Sequence, residues 1–176
     1  MTKNYFKIIR AGINTTFQDQ GRKNLYHIGI PFSGAMDNRN YLLVNKLVGN
    51  KLDYPVIEFA YQGPLLKYHG DKINIAITGD VNFKIIKNNL IIEKGNCYQT
   101  YVLEHGDQLD IISTNKSVYG YLSIQGGYKI DSFLNSYSVN TKAKIGPNDG
   151  EKFSNNQKIF LNDIKESFHK KKINYN

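Results

Sequence analysis

The chain has 176 residues and a mass of 20.1 kDa, enough for one domain with a sizeable core and short for two. Its 40% apolar and 22% charged residues exclude wholesale disorder, and its one cysteine, Cys97, excludes an intramolecular disulfide and a cysteine-rich zinc site. The net charge of +8 rests on 20 Lys and only three Arg (Arg10, Arg22 and Arg39), alongside 21 Asn. That bias is what an AT-rich coding sequence produces. The scarcity of Arg, the usual bidentate reader of phosphates and bases, argues against a nucleic-acid partner. No segment has the roughly 18 consecutive apolar residues of a membrane span, and Met1 to Arg10 lacks a signal-peptide pattern. The expectation is a cytoplasmic protein without a membrane partner.

In chain order, residues 5–10 read as a strand ended by Ala11-Gly12. Residues 14–24 are too polar for a core element, and 29–37 form a Gly/Pro/Ser loop. That loop leads into a helix with Asp37 as N-cap, an apolar face of Tyr41, Val44, Leu47 and Val48, and Gly49-Asn50 as its exit. Short strands separated by turns follow over 56–60, 65–68, 73–78, 82–86, 90–92, 98–103, 108–113 and 119–125. Asn88-Asn89 suits a two-residue hairpin turn, and Gln125-Gly126-Gly127 reads as a bulge or tight corner. From Asn135 onward the strand signal fades, and 161–173 reads as a basic helix or a frayed tail. Many short strands with one early helix predict a mainly β fold, a closed or nearly closed barrel capped by that helix. One domain over 1–160 with a basic tail over 161–176 is the organisation expected.

The sequence holds no Walker A loop, nucleophile elbow, zinc-protease motif or Rossmann fingerprint. His69, His105 and His169 lie in turns or the tail, at spacings that suggest no shared metal, so no metal is predicted. The sequons at Asn14 and Asn115 carry no weight without a secretory route. The informative stretch is Gln18-Asp19-Gln20-Gly21-Arg22, followed by His27 and by Ser33 to Asp37. Two readings stand. If the loops meet, they offer an anion-binding Arg, hydrogen-bonding amide and hydroxyl groups, and a histidine that titrates near neutrality. Alternatively Asp19 and Arg22 form a local ion pair and Asp37 only caps the helix.

Three blocks then carry a resemblance: residues 15–22 (TTFQDQGR), residues 29–37 (GIPFSGAMD) and residues 45–50 (NKLVGN). Glu58, Gly63-Pro64, Ile77-Thr78-Gly79 and the strand 121–127 extend it. The chain resembles, over residues 5 to 160, the N-terminal part of the biotin-dependent carboxyltransferase or allophanate hydrolase subunit 2 family. That family includes KipA, the C subunit of bacterial 5-oxoprolinase and one half of the urea carboxylase carboxyltransferase domain. The resemblance implies a cyclophilin-like β-barrel and work in a complex with a KipI-like partner, on a small amide or lactam. It implies ATP at the level of the complex, and in the alternative of a urea carboxylase-type carboxyltransferase it implies biotin. A third alternative is a non-catalytic, KipA-like regulatory binding protein.

On this resemblance and the clustering of the two loops, Asp19, Arg22 and His27 are the expected catalytic residues, and Gln18, Ser33 and Asp37 the expected substrate-binding ones. Two departures qualify the match. The family's second-half motifs do not occur, and its Gly-Ser-Arg-Ser-Thr segment stands here as Asn135-Ser136-Tyr137-Ser138-Val139. The expectation is therefore a hydrolase subunit that is inactive alone, being a truncated domain, one piece of a split gene or a degenerate copy.

Overall fold

The computed structural model describes residues 4–87, 90–163 and 171–173. The elements run β1 (Tyr5–Arg10), β2 (Thr16–Gln18), α1 (Asn38–Val48), β3 (Val56–Ala60), β4 (Leu65–His69), β5 (Ile73–Thr78), β6 (Val81–Lys87) and β7 (Ile91–Lys94). They continue with β8 (Thr100–Leu103), β9 (Gln108–Thr114), β10 (Tyr119–Ile124) and β11 (Lys158–Phe160). The mainly β fold with one early helix is thus observed. Its strands form two antiparallel sheets, ordered β11-β1-β4-β9-β6-β7 and β2-β3-β10-β5-β8.

The core lies between the inner faces of the two sheets. The six-stranded sheet gives it Phe6, Ile8, Leu66, Tyr68, Phe83, Ile85, Leu109 and Ile111, and the five-stranded sheet gives it Phe17, Ile57, Phe59, Ile75, Ile77, Leu122 and Ile124. Strands of the first sheet alternate buried and partly exposed residues, as the two-residue side-chain period demands of a sheet wet on one side. β5 is buried at every position because α1 covers its other face. There Tyr41, Val44, Leu47 and Val48 pack on Ala76, Tyr121 and Val56. Each fully buried Ile or Phe contributes roughly 1.5–3 kcal/mol by leaving water, so Phe6→Ala alone removes a large part of a typical net stability.

The helix begins where the sequence places it. The Asp37 carboxylate accepts the Asn40 backbone N–H at 3.0 Å, and Gly49 leaves the helix with a φ of 76°. The Gly126-Gly127 corner is tied from both sides: the Gly126 N–H donates to the Asn50 amide oxygen (2.9 Å), and Asn162 Nδ2 donates to the Gly126 carbonyl (3.0 Å).

Three expectations change. Residues 16–18, read as too polar for a core element, are a buried edge strand paired with β3. Lys158 to Phe160, where no strand was expected, pairs with β1. The helix or tail expected over 161–173 is extended at both described ends: Leu161 bridges Tyr128, and Lys172 bridges Gln99. The intervening residues 164–170 lie outside the described residues, as does the Asn88-Asn89 turn. No described helix is long and apolar enough to cross a membrane.

Candidate functional site

β2 delivers the chain to Asp19, and the loops then close over one another. Arg22 donates its backbone N–H to the Phe32 carbonyl (2.7 Å), and Ala35 donates to the Asp19 carbonyl (2.9 Å). The approach is close enough to require glycine. Gly21 has a φ of 82°, and a Cβ there would sit 2.7 Å from the Phe32 carbonyl oxygen. A third segment, residues 136–140, completes the cluster.

Asp19 is 6% exposed and organises that third segment. Its Oδ1 accepts from the Gly21 N–H (2.8 Å), Ser136 Oγ (2.7 Å) and Ser138 Oγ (2.5 Å), while Oδ2 accepts from the Tyr137 N–H (2.7 Å). A carboxylate with four donors is well solvated by the protein and shaped to hold a loop.

Arg22 is 1% exposed, and its Nη2 donates to the Ser138 carbonyl at 2.6 Å. No salt bridge joins it to Asp19 among the described residues. The local ion pair is therefore replaced by attachment of both side chains to Ser138. Nε and Nη1 of Arg22 are buried without an acceptor in the protein. Burial pulls the Arg22 pKa down, and the nearby Asp19 charge opposes that. The Phe133 ring centroid lies 6.0 Å from the guanidinium carbon, within the outer range of a cation–π contact.

Gln18 donates through Nε2 to Thr16 Oγ1 and to the Val139 carbonyl, both at 2.9 Å, and its Oε1 is buried without a donor. Ser33, in the left-handed region at a φ of 58°, accepts a hydrogen bond from Asn140 Nδ2 at 3.3 Å. The structure thus gathers Gln18, Asp19, Arg22 and Ser33 around residues 136–140. His27 stands apart, exposed on a 3-10 turn over Tyr26–Ile28. Asp37 is engaged as the helix cap, with its own N–H donating to the Tyr121 hydroxyl at 2.7 Å.

Beneath the 33–37 loop is a residue outside the expected set. Glu58, 4% exposed on β3, accepts the Met36 N–H at 2.7 Å and is hydrogen-bonded to Tyr121. Burial raises its pKa above the usual value, the two hydrogen bonds oppose the shift, and Asp37 adds to it. A lone carboxylate inside the otherwise apolar strand VIEFA was the signal in the sequence. Ser136 and Ser138 stand in the sequence only as part of the segment matching the family's Gly-Ser-Arg-Ser-Thr, which assigns them no role, because that role depends on a partner 117 to 119 positions away.

A cleft of about 430 Å³ opens beside this cluster, lined by Asp19, Gln20, Gly21, Lys23, Asn135 and Tyr137, with Leu25, Asp53 and Leu134 at its sides. Arg22 is not among the lining residues, although its chain neighbours Gly21 and Lys23 are. Leu134 and Asn135, which line the cleft, have positive φ of 52° and 57° and follow Phe133, whose ring lies near the guanidinium, so this segment holds two consecutive strained residues. Among the described residues no group of three or more His, Cys, Asp or Glu side chains is placed to hold a metal.

Several known proteins are similar to the chain as a whole. The chain is 33% identical to the 5-oxoprolinase C subunit of Haemophilus influenzae over 81% of its own length and 45% of that protein. It is 32% identical to urea amidolyase of Lachancea kluyveri over 89% of its length and 8% of that protein. The crystal structure of the K. lactis urea amidolyase superposes with a TM-score of 0.85 at 30% identity, covering 93% of this chain and 10% of that one. The chain thus spans less than half the length of these relatives. Residues 28–175 match the carboxyltransferase domain, subdomain A and B. With most of the chain inside that match, the protein belongs to the carboxyltransferase domain subdomain A and B family.

Proposed function

We propose that this chain is part of an ATP-dependent 5-oxoprolinase-type enzyme that opens a small amide or lactam, acting with a KipI-like partner. One observation carries the reading. Arg22 is a buried guanidinium with two nitrogens unpaired and no salt-bridge partner among the described residues, and its chain neighbours Gly21 and Lys23 line a polar cleft. A buried guanidinium with unmet donors is costly even with the Asp19 charge nearby, and a substrate carboxylate would satisfy those donors. The relative of Haemophilus influenzae, named as a 5-oxoprolinase component, supports the same direction.

In this reading each residue has a separate task. Arg22 anchors the anionic end of the substrate once the strained 133–137 segment moves aside. Asp19 is a positioning residue, since its four hydrogen bonds fix the 136–138 backbone against which Arg22 is aimed. Gln18 and Ser33 border the same segment and supply amide and hydroxyl groups. Asp37, through Tyr121 and Glu58, fixes the opposite loop. His27, exposed on its turn, suits proton exchange only with a partner surface closed over it. The cleft balances one Lys23 against Asp19 and Asp53, a lining that does not suit a triphosphate, so no ATP step is assigned to these residues.

The test is co-expression with the KipI-like partner and an ATP-dependent 5-oxoproline assay on the purified complex. Turnover that is lost in Arg22→Met, with complex formation intact, is the expected result. Full activity in that variant overturns the anchor. A complex without turnover replaces the enzyme reading with the regulatory one. The likeness to urea amidolyase favours one alternative, a carboxyltransferase half using biotin, and carboxyl transfer to urea by the same complex would establish it.

A further inference from the structure

Outside the cleft, the outer face of the six-stranded sheet holds an arrangement that folding alone does not explain. In β1, Phe6 and Ile8 point into the core, so Tyr5 and Lys7 face outward. Lys7 is directly opposite Lys158 of β11 on one side and directly opposite Lys67 of β4 on the other. Three ammonium-bearing side chains therefore stand in one line across three adjacent strands, at the roughly 4.8 Å spacing of neighbouring strands. Like charges directly opposite one another destabilise a sheet. The ion pairs among the described residues involve Arg10, Lys72, Lys84, Lys87 and Lys144, and none of these three.

A second row runs beside the first. Tyr5 is opposite Phe160 and His69, its ring stacked on His69 at 4.6 Å between centroids, and His105 meets His69 edge-on at 5.2 Å. Lys158 Nζ lies 4.9 Å from the Tyr5 centroid. The His69 pKa is lowered by burial and then by His105, Lys67, Lys158 and Lys7, which shows how closely the positive groups crowd this row.

Two ordinary explanations fall short. Lysines on an edge strand discourage edge-to-edge aggregation, but that covers only Lys158, since β1 and β4 are paired on both sides. Lys-rich coding supplies many lysines but does not select directly opposed positions on three strands. We propose that this face, Lys158–Lys7–Lys67 with its aromatic border, docks an acidic surface of a partner protein. A protein is favoured over a single-stranded nucleic acid because Tyr5 and His69 stack one ring face each on the other while Lys158 and His105 stand against the pair, which narrows any platform for bases. No Arg stands in the line to grip phosphate bidentately. The inference is independent of the Arg22 reading.

The experiment measures binding of labelled poly-L-glutamate and of an oligothymidylate of equal charge by fluorescence anisotropy. It compares the full chain with Lys7→Gln/Lys67→Gln/Lys158→Gln, and with a control of equal charge loss at exposed positions, Lys51→Gln/Lys142→Gln/Lys152→Gln. The ladder variant should bind poly-glutamate about tenfold more weakly and the control within about twofold of the parent. Relief of the opposed charges should also raise the Tm of the ladder variant by about 1–3 °C. Equal losses in the two variants, or a ladder variant that binds poly-glutamate like the parent, would overturn the proposal. Tighter, ladder-dependent binding of the oligothymidylate would overturn it in favour of nucleic acid.

Discussion

Arg10 and Arg22 are the same side chain in two different situations. Arg10, on β1, is about one-third exposed, forms a 2.8 Å ion pair with Asp110, and also donates to the carbonyls of Gly63 and Ile111. Arg22 is buried, reaches one carbonyl and has no ion-pair partner among the described residues. Both leave Nε unpaired, and Arg22 leaves Nη1 unpaired as well, so the difference lies in the direct ion pair and in that second nitrogen. An arginine that ties a sheet together carries its carboxylate with it. One that is buried with its nearest carboxylate committed to other donors is arranged for something that arrives later.

That contrast can be broken in several ways. The largest effect is expected from Arg22→Met in the assembled enzyme: activity should fall about 1,000-fold, equivalent to about 4 kcal/mol. Its Tm should stay level or rise, because an apolar side chain of similar volume replaces an unpaired buried charge. A fall in Tm alongside retained activity would make Arg22 a structural residue like Arg10. Asp19→Asn should cost about 3 kcal/mol in denaturant unfolding, since an amide NH₂ would face donors that the carboxylate now accepts. An unchanged unfolding midpoint would remove Asp19 from its organising role.

Glu58→Gln sharpens the comparison through pH. The folded protein raises the Glu58 pKa above its ordinary value of 4.5, so the folded state favours the protonated form. Its contribution to stability is complete below that ordinary value and is lost as pH rises through the folded-state pKa. Thermal unfolding from acid to neutral pH should therefore show a decline in the parent that is flattened in Glu58→Gln; parallel curves would exclude Glu58 as its source. Smallest is Arg10→Ala, worth about 1 kcal/mol and sensitive to salt, with activity unchanged.

What the sequence showed follows from how far apart the interacting residues lie. The helix was legible because Asp37, the apolar face and Gly49 all act within one short segment. β3 and β5 matched their expected bounds because both are runs of mostly apolar residues buried at every position. β2 was not legible. Thr16 and Gln18 are polar, and the partner that lets Gln18 be buried is the Val139 carbonyl, 121 positions away. The site divided the same way: Asp19, Gly21 and Arg22 stood out as a cluster, whereas Ser136 and Ser138 stood only within an altered family motif that gives them no role. His27 and the Lys158–Lys7–Lys67 line show the converse. A histidine close in sequence lies outside the cluster, and lysines scattered along the chain are brought into one row.

The hydrogen bonds of Asp19 also set an order of events. Ser136 is separated from Asp19 by 117 positions, and at ordinary translation rates of about 5–20 residues per second that segment follows roughly 6–25 s later. Until it arrives, the Asp19 carboxylate and the Arg22 guanidinium have no Ser138 to share and must remain in water. The strands between them can pair in the meantime, since β3 to β10 meet through contacts made earlier in the chain. During synthesis the cleft therefore cannot be completed before residues 136–138 have emerged. Substitutions in residues 136–138 should leave a chain that collapses normally but spends longer with its N-terminal loop open, and limited proteolysis near Gln20 during refolding would time that delay.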